Sequence, residues 1–319
     1  MTLSVRTHRA TAASVAGLAL LLSGCGAGAS DDGSVTLGFV NGGDTEFHTC
    51  LQASIEDTAH AKNAKLYTAN SHQNPGTELS NIEDMISRNV DALIVQTVNV
   101  DALKGDIAKA KGANIPIFLT SVVTDDPSEI LGAVVVDLKQ VGELDAEYIE
   151  KQAAGRNVQV GVIAGAPGAA SDLLVNGFTK ALPANAKVVA NQPGMFNAAK
   201  AQDVAENMIQ AHPDMDYAFV ANEEMALAAL KAFTAAEADV KIVTVNGTDQ
   251  GLAAVKDGRF AATVANSALT TGRIAITNTV SLLDDKKTDK IAMSPISLIT
   301  ADNVNNAPQY CSVEEKKKP

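Results

Sequence analysis

The chain has 319 residues, 46% of them hydrophobic and 19% charged, which is typical of a globular protein with room for two domains and a substantial core. Its formal net charge is −12 at pH 7 and no basic stripe offsets it, so the composition argues against a nucleic-acid partner. No segment after the N-terminal apolar run reaches transmembrane length, which argues against membrane-spanning helices in the mature protein.

The first 25 residues have the layout of an export signal. Arg6 and Arg9 precede an apolar run, 10–22, that is too short to span a bilayer comfortably and has the length of a signal-peptide core. The run ends in Leu-Ser-Gly-Cys, 22–25, which resembles the bacterial lipobox, where the cysteine is diacylated and becomes the first mature residue. The alternative is a short hydrophobic helix that happens to end in Gly-Cys.

We therefore predict a signal peptide over 1–24, lipidation of Cys25 and a flexible, lipid-anchored linker over 25–34. A lipid on one cysteine can hold a protein at a membrane when other contacts help. The predicted location is the extracytoplasmic face of the cell membrane, reached through the lipid anchor only.

Cys50 and Cys311 are the thiols that remain once Cys25 is acylated. An exported pair in an oxidising compartment is usually bridged, so a disulfide is predicted, with two free buried thiols as the alternative. Zinc is not expected, because neither cysteine has a second Cys or His at ligand spacing.

From residue 35 onward, short apolar runs rich in Val and Ile alternate with amphipathic stretches of helical period, as in parallel sheets buried on both faces. The predicted strands are 35–40, 65–69, 92–95, 116–120, 133–136, 158–163, 187–190, 217–220, 241–245, 261–265 and 296–300. Among the helical stretches, 223–236 consists of strong helix formers and follows an N-cap residue, Asn222. This alternation predicts an α/β fold of doubly wound parallel sheets.

The number of βα units is too large for one small sheet, and the run 133–136, which leads directly into Asp137, indicates a crossing between two such domains. Ligands bind such sheets at the carboxyl ends of the strands, so the residues just after each strand are the candidates for a site. The sequence has no HExxH, GxSxG or P-loop motif and no metal-ligand spacing, which argues against an enzyme and a cofactor.

Three segments carry a specific resemblance: AHPDMDYAFVANEEMALAAL (211–230), IVTVNGTDQGLAAVKDGRFAATVAN (242–266) and 71–103, with its QNP and DALIVQ. They resemble the ribose-binding, pentose/hexose type of periplasmic binding protein, and the resemblance covers nearly all of 35–300. It implies two Rossmann-like lobes, joined by three hinge strands, that close over a ligand. The implied N-terminal lobe is 35–136 plus 267–294, the C-terminal lobe 137–266 plus 295–301, and a tail follows over 302–319.

The resemblance also implies a set of site residues, which we carry over position by position. The family's Asn-Pro-Phe-Phe motif corresponds to Thr45-Glu46-Phe47-His48, which keeps one aromatic wall and puts a histidine where the second ring would be. The candidate ligand-binding residues are Thr45, Phe47, His48, Gln96, Ser121, Asp137, Phe196, Asn222, Asn246 and Asn266. Several have plainer interpretations, since the two phenylalanines could be core, Asn222 only a helix cap, Asn246 only a turn residue, and Asp137 only a partner of nearby backbone amides.

Departures from the family pattern make the predicted cleft more neutral. Ser121 and Val122 replace an Asp-Arg pair, Leu174 replaces an Arg, and Asn246 replaces an Asp. Pentose recognition depends on charged planar groups that hold several hydroxyls bidentately. The resemblance with these losses therefore predicts an amide-lined cleft for which ribose itself is a poor ligand.

The predicted function is that of a monomeric, extracytoplasmic solute-binding lipoprotein. It would capture a small neutral carbohydrate or polyol between two lobes and deliver it to the permease subunits of an ABC importer. Two alternatives remain: a sensory module that presents its ligand to a membrane receptor, and an envelope hydrolase, which the missing nucleophile motif disfavours.

Overall fold

Two six-stranded sheets, each covered by helices, make up residues 34–311, the part of the chain that the computed structural model describes. The predicted signal peptide, Cys25, nearly all of the predicted linker and the last eight residues of the tail lie outside the described residues. No helix among the described residues combines the length and apolar character needed to cross a membrane.

The first sheet is entirely parallel and has the strand order β11-β5-β4-β3-β1-β2. Its strands are β1 (Thr36–Asn41), β2 (Lys65–Asn70), β3 (Ala92–Val95), β4 (Ile117–Ser121), β5 (Gly132–Val135) and β11 (Ile291–Met293). We call this sheet and its helices the first lobe.

The second sheet has the order β12-β10-β9-β8-β6-β7 and is parallel except for the edge strand β12, which pairs antiparallel with β10. Its strands are β6 (Val158–Ala164), β7 (Ala186–Pro193), β8 (Tyr217–Val220), β9 (Lys241–Asn246), β10 (Ala262–Asn266) and β12 (Ile296–Ile299). We call this sheet and its helices the second lobe.

Nine helices connect and cover the strands of the described part. They are α1 (Glu46–Ala61), α2 (Pro75–Ser87), α3 (Val100–Gly112), α4 (Leu138–Ala153), α5 (Ala169–Ala181), α6 (Ala198–Ala211), α7 (Glu223–Ala235), α8 (Asp249–Lys256) and α9 (Ala268–Leu283). Short 3₁₀ turns occupy Pro127–Glu129 and Val304–Asn306.

The local sequence accounts for these elements. Every residue of β3 is buried, as expected for an apolar strand packed on both faces by helices. Seven of the nine helices in the described part begin at side-chain caps of the expected type, α1 and α5 being the exceptions. Asn74 accepts the Thr77 amide at the start of α2, and Asn197 accepts the Lys200 amide at the start of α6. The predicted α/β class with two doubly wound sheets is confirmed.

Two strands differ from the sequence prediction. The strand β11 is not predicted from the sequence. It is a partly exposed edge strand of three residues, and its apolar run is too short to indicate a strand. The strand β7 spans eight residues rather than the four predicted, because its solvated outer residues still pair with β6 although they lack an apolar pattern.

The chain passes between the two sheets after β5, after β10 and between β11 and β12. Each passage lies beside the carboxyl edge of a sheet, so these short connections border the space between the lobes. The predicted boundaries of the two lobes stay a prediction about how the chain divides into folding units.

A fourth connection runs through the C-terminal segment. After β12 the chain returns to the first lobe, where Tyr310 is buried in the same apolar cluster as Cys50. The carbonyl of Tyr310 accepts the Leu269 amide at 2.9 Å, and the carbonyl of Gln309 accepts the Ser267 hydroxyl at 2.6 Å. In the structure Cys50 and Cys311 form a disulfide, with Cα atoms 5.0 Å apart.

Candidate ligand-binding site

A cavity of about 260 Å³ lies between the lobes, where the carboxyl edges of the two sheets face each other. Nine of the ten ligand-binding candidates line it: Thr45, Phe47, His48, Gln96, Ser121, Phe196, Asn222, Asn246 and Asn266. Distant segments of sequence meet here because parallel strands end at the same edge of a sheet, and the residues that follow them share that edge.

In the first lobe, hydrogen bonds hold two of these side chains in place. Gln96 follows β3, and its Oε1 accepts the Thr120 hydroxyl at 2.6 Å, which leaves its Nε2 group available as a donor. His48 lies in the first turn of α1, with its Nδ1 2.8 Å from the Thr45 hydroxyl. Phe47 and His48 meet edge to face, with ring centroids 5.9 Å apart, and so form one wall.

The second lobe supplies the opposite wall. Asn222 caps α7 through a 2.9 Å bond from the Met225 amide to its Oδ1, and its side chain also lines the cavity. The ring of Phe196 lies against the backbone of Gly165, where an added Cβ would stand 2.1 Å from the ring. A glycine at 165 therefore makes room for the aromatic wall.

The site is electrically neutral. None of the described lining residues is Asp, Glu, Lys or Arg. Burial lowers the pKa of His48 to about 4, against the raising effect of Asp44, so its imidazole is uncharged near neutral pH. Recognition must then rely on amides, hydroxyls, a neutral imidazole and apolar faces.

Two buried oxygens in the cavity have no hydrogen-bond partner within the described part of the chain. They are Ser121 Oγ and Asn266 Oδ1, whose residues are 7% and 5% exposed. A buried polar atom without a partner costs free energy, so both are suited to bonding with a ligand hydroxyl.

Several lining residues have strained backbones. A positive φ is uncommon for residues other than glycine, and especially so for a residue with a bulky ring. Four lining residues other than glycine have one: Gln73 (φ 58°), Ser121 (φ 66°), Phe196 (φ 50°) and Asn246 (φ 137°). Such strain concentrates at binding sites, where the surrounding fold compensates for it.

Asp137 is the candidate that the structure does not bring to the cavity. Its Oδ1 accepts the Gln140 amide at 2.9 Å and so caps α4. This matches the plainer interpretation of that residue, because its carboxylate bonds to a backbone amide in the first turn of a helix and does not line the cavity.

The structure adds lining residues that the sequence argument missed, among them Gln73, Asn99, Ser171 and the segment 166–168. Gln73 and Asn99 lie in the loops that follow β2 and β3. They could have been predicted, because ligands bind such sheets beyond the carboxyl ends of the strands. The segment after β6 has no phosphate-loop motif, yet its residues 166–168 line the cavity.

The lobes also touch at the rim of the cavity. The backbone amide of Glu46, at the start of α1, donates to Glu224 Oε1 of α7 at 3.0 Å. Burial, followed by repulsion from Glu224 and Asp249, raises the pKa of Glu46. The Glu224 carboxylate lies at the N-terminus of α1, where the helix dipole favours a negative charge. This contact therefore favours the arrangement in which the two lobes lie against each other.

Two sheets, parallel except for one edge strand, with a neutral polar cavity between their carboxyl edges define a two-lobed solute-binding protein. The family model for the periplasmic binding protein domain matches residues 37–287, and the chain belongs to that family. The predicted resemblance to the ribose-binding type is thereby confirmed.

The chain is similar to the ribose import binding protein of Escherichia coli, with 33% identity over 222 residues that cover 69% of this chain and 74% of that one. It is also 26% identical to the xylitol-binding protein of Mycolicibacterium smegmatis over 325 residues, 99% of this chain and 92% of that one. Among solved structures, the binding protein of the arabinose ABC transporter from Shewanella sp. ANA-3 superposes with a TM-score of 0.80 at 25% identity, covering 85% of this chain and 94% of that one. These relatives are binding proteins rather than enzymes.

Proposed function

We propose that the chain captures a small neutral sugar or polyol between its lobes and presents it to the permease subunits of an ABC importer. The observation that carries the proposal is the lining of the cavity, which combines amides and hydroxyls with the rings of Phe47 and Phe196 and, among the residues that the structure describes, includes no Asp, Glu, Lys or Arg. A polyol offers hydroxyls to the polar groups and C–H surfaces to the rings, and so matches both.

A charged ligand would fit this site poorly. An ammonium or carboxylate inside the cavity would lose its hydration without gaining an opposite charge, which is costly. Ribose is disfavoured for a related reason, because Ser121, Leu174 and Asn246 provide none of the charged, bidentate bonding that the family pattern has at these positions. The similarity to a xylitol-binding protein supports a polyol.

Delivery requires closure that depends on the ligand. Only the closed arrangement contacts a ligand from both lobes, so ligand binding shifts the population toward it. A permease that recognises the closed form would then receive loaded protein only. The import names of the related binding proteins support an importer as the partner.

We also propose that the mature protein is a monomer held at the extracytoplasmic face of the membrane by a lipid on Cys25. The basic start, the apolar run and the tetrapeptide that ends in Cys25 support this. The linker that follows would give the folded part the reach to meet a permease.

The test is calorimetry on the mature, unacylated domain with matched neutral and charged compounds. D-Glucose would be compared with D-glucosamine and D-gluconate, and xylitol and myo-inositol with D-ribose. We expect at least one neutral sugar or polyol to bind, the charged analogues to fail and ribose to bind weakly or not at all. Binding of a charged analogue, or tight binding of ribose, would contradict the proposal.

A further inference from the structure

Two glutamates that do not line the cavity are buried directly behind its walls. Glu223, the first residue of α7, is 1% exposed, and Glu78, in the first turn of α2, is 0% exposed. Carboxylates are rarely buried to this degree without compensating bonds, so what each one bonds to is informative.

In the second lobe, Glu223 holds the loop that follows β9. Its Oε1 accepts the Gly247 amide at 2.9 Å and the Thr263 hydroxyl at 2.6 Å, and its Oε2 accepts the Thr248 amide at 2.7 Å. An added Cβ at Gly251 would stand 2.0 Å from the carboxylate carbon of Glu223. Only a glycine at this position of α8 therefore leaves space for the carboxylate. The residue just before these amides is Asn246, which lines the cavity.

In the first lobe, Glu78 holds the loop that follows β3 in the same way. Its Oε1 accepts the Thr97 hydroxyl at 2.7 Å, and its Oε2 accepts the Val98 amide at 2.6 Å. Thr97, Val98 and the next residue, Asn99, all line the cavity. Each lobe therefore supports one wall of the site with a buried carboxylate that bonds to the loop from behind.

We propose that Glu78 and Glu223 are positioning residues, which hold the two loops in the conformation that binds the ligand without touching the ligand themselves. The inference rests on the proposed binding function of the cavity. Loop backbones are otherwise mobile, and a carboxylate that accepts two donors of one loop fixes its orientation. Without it, ligand binding would have to order the loop and would be weaker for that reason.

The ionisable groups around Glu223 determine in which direction its hold on the loop changes with pH. Asp145 of α4 and Tyr310 of the C-terminal segment face it, and burial raises the pKa of both. Burial also raises the pKa of Glu223 to about 7, against the lowering effect of its hydrogen bonds. Backbone N–H groups of the loop donate to both oxygens of Glu223, so a proton on either oxygen would displace one of these bonds. The ionised carboxylate is therefore the form that holds the loop.

The surroundings of Glu78 differ in one respect. Its carboxyl is hydrogen-bonded to that of Asp106 on α3, and burial raises the pKa of both, to about 7 for Glu78. The pair can share a proton, so titration of Glu78 is not separable from that of Asp106. The pH arm of the test therefore uses Glu223 alone.

The test compares Glu223→Gln and Glu78→Ala with controls that remove a similar bond elsewhere. Asp216 accepts the Gln159 amide at 2.8 Å and Asp91 accepts the Thr36 amide at 2.7 Å, both at the amino edges of the sheets, away from the cavity. Asp216→Ala and Asp91→Ala therefore remove one bond from a carboxylate to a backbone amide in each lobe. An amide Nε2 cannot accept an N–H, so Glu223→Gln loses one of its two backbone amides, whereas a glutamine at 78 could keep the Val98 amide on its Oε1 and donate its Nε2 to the Thr97 hydroxyl, so alanine is used there.

Affinity for xylitol, measured by calorimetry, should fall about 10- to 100-fold in Glu223→Gln and in Glu78→Ala and stay within about twofold in the controls. For Glu223→Gln the loss should be larger at pH 8 than at pH 6, because at low pH the wild-type carboxyl is itself protonated. A loss that is the same at both pH values, or equal losses in the controls, would overturn the proposal, since a merely structural role gives those results.

Hydrogen exchange on the ligand-free protein separates this inference from the choice of ligand. The amides of Gly247 and Thr248 should exchange at least tenfold faster in Glu223→Gln, and that of Val98 in Glu78→Ala, while the other lobe's loop stays protected. Unchanged exchange in both variants would overturn the positioning role. Failure of wild-type protein to bind xylitol would count against xylitol as the ligand, and the exchange rates would then decide this inference by themselves.

Discussion

At the scale of single residues, Asn222 serves two purposes: it caps α7 and it lines the cavity. We expect Asn222→Ala to lower ligand affinity roughly 5- to 150-fold, because a buried ligand hydroxyl that loses its partner costs about 1–3 kcal/mol. Loss of the cap should also cost about 0.5–2 kcal/mol of stability. Calorimetry with the ligand found in the compound screen measures the first effect, and thermal unfolding measures the second.

The control for this prediction is Asp137→Ala, which removes the cap of α4 but no lining residue. It should lose a similar amount of stability and keep its affinity. A drop in affinity would return Asp137 to the binding site, as the family resemblance implies, and unchanged affinity in Asn222→Ala would remove Asn222 from it.

Phe196 tests the apolar wall. Phe196→Ala should weaken binding about tenfold by removing the aromatic face that covers the C–H surface of the ligand. Gly165→Ala should act in the same direction, because its Cβ would push the ring out of place. Met195→Ala is the matched control, since Met195 shares the positive φ of its neighbour but is 42% exposed and does not line the cavity. If all three variants bind equally well, the wall lies elsewhere.

At the scale of elements, the disulfide fastens the C-terminal segment to α1, the helix whose first turn carries Phe47 and His48. The residues that it joins are 261 apart in sequence, so the entropic treatment of cross-links gives roughly 5–6 kcal/mol as an upper value. We expect the native domain from residue 26 onward, which lacks Cys25, to show no free thiol, and reduction to lower its melting temperature and weaken ligand binding.

The double variant Cys50→Ala/Cys311→Ala is the control for this prediction. It should resemble the reduced protein and be insensitive to added reductant, which separates loss of the bridge from unspecific effects of the reagent. Two titratable thiols in native, unreduced protein would contradict the bridge. Full affinity in the double variant would show that the buried Tyr310 alone holds the segment in place.

At the scale of the whole molecule, the proposed function requires the lobes to open and close about the three passages between the sheets. We expect the radius of gyration to decrease when a confirmed ligand binds, because the contacts from both lobes favour closure. Small-angle scattering with and without ligand measures this, with a non-binding charged analogue as the control. An unchanged radius would contradict closure. The contact between Glu46 and Glu224 should form in the closed state only.

The proposed lipid on Cys25 determines where the whole molecule is held. Cys25→Ser should leave the protein unprocessed by the lipoprotein peptidase and should abolish metabolic labelling with a fatty acid, because the acylated thiol is gone. Membrane fractionation of cells that express the variant provides the second readout, and wild-type protein provides the reference. Normal lipid labelling of Cys25→Ser would contradict the anchor.

Much of the fold could be predicted because its signals are local. Apolar runs such as 92–95 and 241–245 mark strands buried on both faces, and the cap at Asn222 marks the start of a helix. The three-residue β11 could not be predicted, since it is a strand only by virtue of pairing with β5. Its own residues carry too little pattern.

The sequence by itself determined the α/β class, the family resemblance and nine candidate residues of the cavity, because strand ends and family motifs are written in short stretches of chain. Only the tertiary structure decided that Asp137 caps a helix beside the cavity, and that the segment 166–168 lines it. It alone shows Glu78 and Glu223 buried behind the binding loops, where the sequence has only acids in the first turns of helices. The physical reason is that burial and hydrogen-bond partners depend on which distant segments meet, and a one-dimensional pattern does not carry that information.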